Sequence, residues 1–296
     1  ETHVSRNDGE AGQAHITAHD SHYRVEPDLL DKGLQRDTMG LPGSTAMAVS
    51  CVAPVYALTA ALGPTVREVG VQMPAVFLAG FIPMLLVAFG YRALNKVVPD
   101  AGTSFTWTVK AFGPYTGWMC GWGLILATVI VLSNTAGVAA TYLYLFLAAL
   151  LDNPAIREFG DARLVNVMTT SVFVAMATWV AYRGMMTAKR VTYVLVSFQM
   201  AMLLLFCALG LQKALAGGVP SAIPFEWNWL NPFAIESAAA LAAGLSLSIF
   251  IYWGWDVSLS ANEETSGSEH TPALAALASI VMLAGTYLLV AISTQM

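Results

Sequence analysis

The sequence predicts an all-α integral membrane protein, and three observations support this fold class. Of its 296 residues, 56% are hydrophobic and only 11% are charged, a balance that soluble globular domains do not show. Six long stretches contain no Asp, Glu, Lys or Arg, and a seventh contains only Glu236, near its start. A helix needs roughly 20 apolar residues to cross the hydrocarbon core of a bilayer, and all but one of these stretches suit a single crossing. The stretches are 38–66, 69–91, 111–151, 164–182, 191–212, 227–255 and 271–296.

The third stretch, residues 111–151, has two interpretations because it contains 41 residues. It is either one long helix or two helices joined by a turn near residues 133–137. The loops 92–110 and 183–190 both carry an excess of Lys and Arg, and basic loops stay on the cytoplasmic side. One crossing places both loops inside, whereas two crossings would move the second loop outside. We therefore predict one crossing, with residues 111–117 as an interfacial lead-in.

This assignment gives seven spans, with the amino end cytoplasmic and the carboxyl end extracellular. Residues 1–37 are polar and are predicted to form a cytoplasmic tail, and residues 213–235 an extracellular loop. A polar tail of this kind is more typically solvated than metal-binding, although it contains His15, His19 and His22. Because the chain begins with Glu1 rather than Met and ends just after a span, we expect it to be the amino-terminal part of a longer protein.

The first span carries a signal for an interrupted helix. Pro54 lies inside it, lacks an amide hydrogen and clashes with the turn before it, and residues 50–53 are small or β-branched. Irregular backbone at membrane depth is tolerated only beside a cavity or other protein. Taken alone, this span fits either an ordinary proline kink or a break at a binding site.

The sixth span carries a second signal, because Gly254 weakens the helix next to Asp256 and several large rings. The rings are those of Tyr252, Trp253 and Trp255. Asn231 and Pro232 are expected to start this helix, as cap and first-turn residue. One interpretation places Asp256 at the inner water interface, with the rings in an aromatic belt. If Asp256 instead lies within the bundle, it is a functional residue, because a buried acid is costly there.

The two signals together favour a transporter built from inverted repeats. Interrupted helices at corresponding positions of two halves point to a site between the interruptions. Spans one and six would then be the first helices of two five-helix units. The ends of the half-helices offer partial positive charge to a carboxylate and carbonyl oxygens to an ammonium group or cation. A zwitterion matches this environment.

Three segments carry motifs of a known family. The first is "GYRALNKVVPDAGTSFTWTVKAFGPYTGWMCGWGLIL", residues 90–126, with Pro-x-Ala-Gly, Phe-Gly-Pro and Gly-Trp in order. The others are "YRGMMTAKRVTYVL", residues 182–195, and "IYWGWDVSLSANEETSGSEHTPALA", residues 251–275. The ordered combination resembles the amino acid–polyamine–organocation permeases, and the likeness runs from about Gly40 to the end of the chain.

The resemblance implies a five-plus-five inverted-repeat fold, of which this chain supplies spans 1–7 only. Residues 38–212 would form the first repeat and residues 236–296 the start of the second. Residues 50–53 would face the substrate carboxylate, and residues 252–254 would offer backbone carbonyl groups to its amine. The implied site comprises substrate-binding Ser50, Cys51, Val52, Ala53, Tyr252, Trp253 and Gly254, gate residues Phe250 and Trp255, and coupling residues Asp256 and Gln199.

Two positions depart from the family pattern. The first interruption of the family is usually rich in glycine, whereas residues 50–54 contain none. Some proton-coupled members have a lysine in span five that stands in for a sodium ion, and the matching position here is Gln199. A glutamine cannot carry that charge. A proton nevertheless remains the expected coupling ion.

The predicted function is secondary active transport of amino acids or related amines across the cytoplasmic membrane by alternating access. The alternatives are an exchanger of the same fold and, from a different class, a seven-span receptor-like protein. A retinal protein would need a lysine within a span, and an intramembrane hydrolase a serine–histidine pair, paired acids or a metal cluster, which the spans do not provide. We expect no enzymatic activity, cofactor, metal or nucleic-acid partner; the expected partners are the substrate, the coupling ion and the lipid bilayer.

Overall fold

The computed structural model describes residues 37–217 and 223–296, and helices make up most of both ranges. Within them, the one extended pairing is an isolated bridge between Met39 and Thr265. The all-α fold class predicted from the sequence is confirmed. The predicted polar tail, with His15, His19 and His22, lies outside the described residues except for Asp37.

Eleven α-helices follow one another in the described part of the chain. Five helical segments there are long and apolar enough to cross a membrane, judged by length and composition, and the longest of them, residues 41–97, contains three successive helices. The helices are α1 (Leu41–Val52), α2 (Pro54–Val69), α3 (Met73–Val97), α4 (Ser104–Phe112), α5 (Pro114–Leu150), α6 (Arg157–Asp161), α7 (Arg163–Tyr182), α8 (Met185–Leu215), α9 (Ala238–Ile251), α10 (Val257–Ser260) and α11 (Thr271–Gln295).

The third charge-free stretch forms one uninterrupted helix, α5. It contains 37 residues, which corresponds to about 55 Å at about 1.5 Å per residue. It begins at Pro114, directly after Gly113, whose φ of 89° ends α4. The prediction of one helix, rather than two joined near residues 133–137, is therefore confirmed.

The predicted interruption of the first span is present at Ala53. This residue adopts the left-handed conformation, with φ 50° and ψ 65°, and its amide donates back to the carbonyl oxygens of Ser50 and Val49. Pro54 is then the first residue of α2, where its missing N–H removes no helical hydrogen bond. The backbone therefore breaks into two helices, and the alternative of a simple kink within one helix does not apply.

The sixth span begins later than predicted. Asn231 caps only a short 3₁₀ turn, Pro232–Ala234, by accepting a hydrogen bond from the amide of Phe233 at 3.1 Å. The chain is extended at Ile235, so this turn does not continue into the helix. Instead, the Ser237 hydroxyl accepts from the amide of Ala240 at 3.0 Å and α9 starts at Ala238. The predicted start at Asn231 and Pro232 was wrong.

A core of buried side chains is formed mainly by the interrupted helices together with α3 and α11. α3 and α9 approach each other closely where Gly80 faces Ser248, because any Cβ at Gly80 would collide with that serine side chain. Small residues at such contacts allow membrane helices to pack backbone against backbone. By contrast, α5, α7 and α8 expose many large apolar side chains, a surface suited to lipid rather than water.

Candidate functional site

The two interrupted helices meet at Gly254. α9 ends at Ile251, residues 252–256 form turns, and Gly254 has a φ of 110°. A Cβ built on Gly254 would lie 2.9 Å from the carbonyl oxygen of Cys51 and 3.1 Å from its carbonyl carbon. Only glycine allows both this backbone conformation and this approach. The second interruption therefore rests directly on the end of α1.

A cavity of about 450 Å³ lies beside this contact, within the range of typical small-molecule sites. One wall is the first interruption, residues 50–53, continued by Tyr56 and Ala57 at the start of α2. A second wall comes from the sixth span, with Phe250 at the end of α9 and Val257 and Ser260 in α10. Backbone that is not in a regular helix thus lines a space large enough for a small molecule.

Eight residues predicted for the site line this cavity. They include Asp256, which is the one charged residue among the described residues of the lining. Its carboxylate brings a formal negative charge to a site otherwise built from hydroxyl, thiol and apolar groups. The eight are Ser50, Cys51, Val52, Ala53, Phe250, Trp253, Gly254 and Asp256.

Backbone acceptors are also available at the second interruption. The amides of Tyr252 and Trp253 donate to the carbonyl oxygens of Ile249 and Phe250. Within the described chain, the carbonyl oxygens of Tyr252 and Trp253 themselves accept no hydrogen bond. Carbonyl oxygens left unpaired where a membrane helix is interrupted can accept hydrogen bonds from an ammonium group.

The side chain of Tyr252 lies away from the cavity. It is fully buried, donates its O–H to the carbonyl oxygen of Phe77 at 3.2 Å, and packs with the ring of Tyr287 at a centroid distance of 5.2 Å. In turn, Tyr287 donates its O–H to the carbonyl oxygen of Ile251 at 2.8 Å. The pair holds the last turn of α9 against α3 and α11, so the Tyr252 ring supports the site from behind.

Two further predicted residues are also absent from the cavity lining. Trp255 is buried and its ring contacts Tyr91 edge to face, with centroids 5.1 Å apart. Tyr91 makes a similar contact with Trp107 at 5.2 Å. Trp255 thus anchors the interruption to the end of α3. Gln199 lies half-buried in α8.

The third wall of the cavity was not assigned to the site by sequence reasoning. It consists of one face of α5, to which Thr128 belongs. Its members recur with the spacing of a helical face, a signal present in the sequence but shared by any packed helix. They are Leu124, Thr128, Val131, Leu132 and Thr135. Next to this wall, Asn134 donates to the hydroxyl of Tyr56 at 3.0 Å.

Comparisons with known proteins identify the family to which the chain is similar. A family model described as "Amino acid permease" matches residues 39–296. The chain is 23% identical to the methylthioribose transporter of Bacillus subtilis (strain 168) over 254 residues, which are 84% of this chain and 52% of that protein. It is 27% identical to the branched-chain amino acid permease BcaP of Lactococcus lactis subsp. cremoris (strain MG1363) over 193 residues, 64% of this chain and 39% of that protein.

A third relative is the branched-chain amino acid permease BcaP of Bacillus subtilis (strain 168). The chain is 24% identical to it over 243 residues, which are 79% of this chain and 49% of that protein. The chain therefore spans about half the length of the curated relatives it matches.

Proposed function

This chain belongs to the amino acid permease family, and on this basis we propose that it serves secondary active transport of amino acids or related amines across the cytoplasmic membrane. The family is one of transporters rather than enzymes. The observation that carries the proposal is the contact of Gly254 with Cys51 beside a cavity of about 450 Å³. It joins two interrupted helices at one site, as expected of a carrier.

The polar groups of the cavity fit the two charges of an amino acid. The unpaired carbonyl oxygens at Tyr252 and Trp253 and the carboxylate of Asp256 would attract the substrate ammonium group. The amino end of α2 carries the partial positive charge of a helix dipole and would favour the substrate carboxylate near residues 50–53. Both interactions use backbone groups that are free of helical hydrogen bonds, which explains why the helices are interrupted there.

The α5 wall suits an apolar side chain. Three of its five cavity residues, Leu124, Val131 and Leu132, are aliphatic, and Phe250 lies on the cavity as well. Two relatives are branched-chain amino acid permeases by name. We therefore propose amino acids with apolar side chains, branched-chain ones among them, as the substrate class.

Coupling and orientation complete the proposal. Asp256 is the proposed proton-coupling residue, since it is the charged residue of the described cavity lining. Gln199 lies outside that lining and would contribute only through hydrogen bonds.

We propose a cytoplasmic amino terminus, alternating access to the cavity, and two repeats that start at the interrupted helices, residues 38–212 and 236–296. An exchanger of the same fold would use the same cavity without proton flux.

The test is uptake of a panel of labelled amino acids and amines by the protein in its full encoded length, reconstituted in liposomes. We expect uptake of apolar amino acids that increases when an inward proton gradient is imposed. Uptake that requires preloaded internal amino acid and ignores the gradient would identify the exchanger. No uptake of any member of a broad panel would contradict the proposed function.

A further inference from the structure

A second cavity adjoins the proposed substrate cavity along α4 and α5. Its volume is about 570 Å³. Three residues line both cavities, namely Thr103, Leu124 and Ser260. We call this shared boundary the neck. Because the same three residues line both spaces, the two cavities meet at these residues.

The second cavity is lined by aromatic and small residues. Phe105 on α4 and Trp118 and Trp122 on α5 contribute rings, and Gly121 lies between the two tryptophans in sequence. None of the described lining residues is charged, and the polar side chains of the lining are those of Thr103 and Ser260 at the neck. A space of this composition favours apolar or aromatic groups, because large rings gain most from burial and edge-to-face contact.

Thr103 shows that the neck is a specialised position. It has a φ of 41° and a ψ of −116°, a conformation that is unfavourable for a β-branched residue. The residue as a whole is 5% exposed, and its hydroxyl makes no hydrogen bond to the described residues. Because Thr103 lines both cavities, its hydroxyl is available to a ligand group or water at the neck. Backbone strain of this kind is typically kept at functional positions.

From these observations we propose that the second cavity is a side-chain subsite for aromatic and long apolar amino acids, and that Leu124 sets how far a substrate reaches into it. The inference rests on the proposed function, because the first cavity must hold the charged groups of the same substrate. Small branched side chains would fill only the space in front of Leu124. Longer side chains would pass between Leu124 and Thr103 toward the rings.

The test compares uptake of phenylalanine and valine by Leu124→Ala in reconstituted protein of full encoded length. Replacing the isobutyl side chain by a methyl group widens the neck, so the ratio of phenylalanine to valine uptake should rise by about tenfold, the scale of discrimination that apolar pockets achieve. The matched control is Leu126→Ala on the same helix. Leu126 is exposed and lines neither cavity, so its removal should leave the ratio unchanged.

A second pair of variants tests whether the gain from Leu124→Ala requires free space in the second cavity. In the background of Leu124→Ala, Gly121→Leu should cancel the gain, since Gly121 lines the second cavity and a Cβ there already lies 2.9 Å from the ring of Phe105, so a leucine side chain would occupy space next to that ring. Ile125→Phe, from the same lining, should have the same effect if Gly121→Leu does not fold. The control Gly123→Leu places its side chain where no atom lies within 4 Å and should keep the gain.

The outcomes distinguish this inference from the proposed function. If the unmodified protein transports no amino acid, the proposed function fails and the subsite with it. If the unmodified protein transports valine but Leu124→Ala leaves the ratio as it was, the proposed function stands and the subsite is refuted. A gain that survives filling of the second cavity would also refute it, because the larger ring would then be held elsewhere.

Discussion

The side-chain amide of Asn262 donates a hydrogen bond to the side-chain oxygen of Asn95 at 3.0 Å, and both residues are completely buried. Asn95 in turn donates to the carbonyl oxygens of Ser268 and Glu269, at 2.9 and 3.2 Å. Asn95 lies near the end of α3, and the other three residues lie in the loop between α10 and α11. This polar link therefore fixes the segment that follows the second interruption to the rest of the bundle.

Replacing Asn95 by alanine should lower the free energy of unfolding by about 1–3 kcal/mol, since the change leaves buried groups without partners. Thermal unfolding of the purified protein in detergent would measure this loss. Asn228→Ala is the matched control, because Asn228 is exposed. Equal melting temperatures for the two variants would show that the buried link contributes nothing.

Gly254→Ala should abolish transport while leaving membrane insertion intact. The new Cβ would lie within 3.1 Å of two backbone atoms of Cys51, at a residue whose φ is 110°, and such strain costs about 1–3 kcal/mol. The two interruptions would have to separate. Uptake in liposomes, normalised to the amount of inserted protein, is the measurement.

The control for this change is Gly63→Ala in α2, where a Cβ meets no atom within 4 Å. It should transport normally and gain slightly in stability, by about 0.5–1 kcal/mol. Normal transport by Gly254→Ala would show that close contact between the interruptions is not required.

Phe250→Ala should weaken substrate binding without preventing insertion. The ring lines the cavity at the end of α9, and loss of its apolar contact, at about 1.5 kcal/mol, corresponds to roughly tenfold in apparent affinity. Uptake measured over a range of substrate concentrations would detect this change. Phe206→Ala on α8, an exposed ring outside the cavity, should have no effect; an unchanged Phe250→Ala would place the gate elsewhere.

Asp256→Asn should separate transport from the proton gradient. The substitution keeps the shape of the side chain but removes the charge from the described cavity lining, so a proton can no longer be carried there. Uptake down a substrate gradient should remain, with a weaker apparent affinity because the carboxylate no longer attracts the substrate ammonium group, and its stimulation by an inward proton gradient should disappear. Glu236→Gln, at an exposed position, is the charge-matched control. Stimulation that persists in Asp256→Asn would assign coupling to another group.

The positions of the interruptions follow from local chemistry, which explains why the sequence placed both of them. Pro54 cannot donate a backbone hydrogen bond, and Gly254 adopts a φ of 110° that other residues avoid. Neither property depends on neighbours that are distant in the chain. The same holds for the charge-free stretches, because burial of charge in a membrane is costly wherever the segment packs.

The directions of the side chains around the second interruption could not be derived in this way. Tyr252, Trp253 and Trp255 are adjacent aromatics in one motif, yet only Trp253 lines the cavity, while the other two pack against Tyr287 and Tyr91. Which ring faces the cavity depends on the dihedral angles of the turn and on the partners that α3 and α11 present. Neither is encoded within the motif itself.

The sequence alone thus determined the all-α membrane class, the single helix formed by the third charge-free stretch, and the two places where a helix is interrupted. Each of these depends on the solvation and covalent geometry of nearby residues. Only the tertiary structure decided that Gly254 would rest on Cys51, that one face of α5 would close the cavity, and that Thr103 would stand between two cavities. These contacts join residues far apart in the chain, and their geometry is set by how whole helices pack against one another.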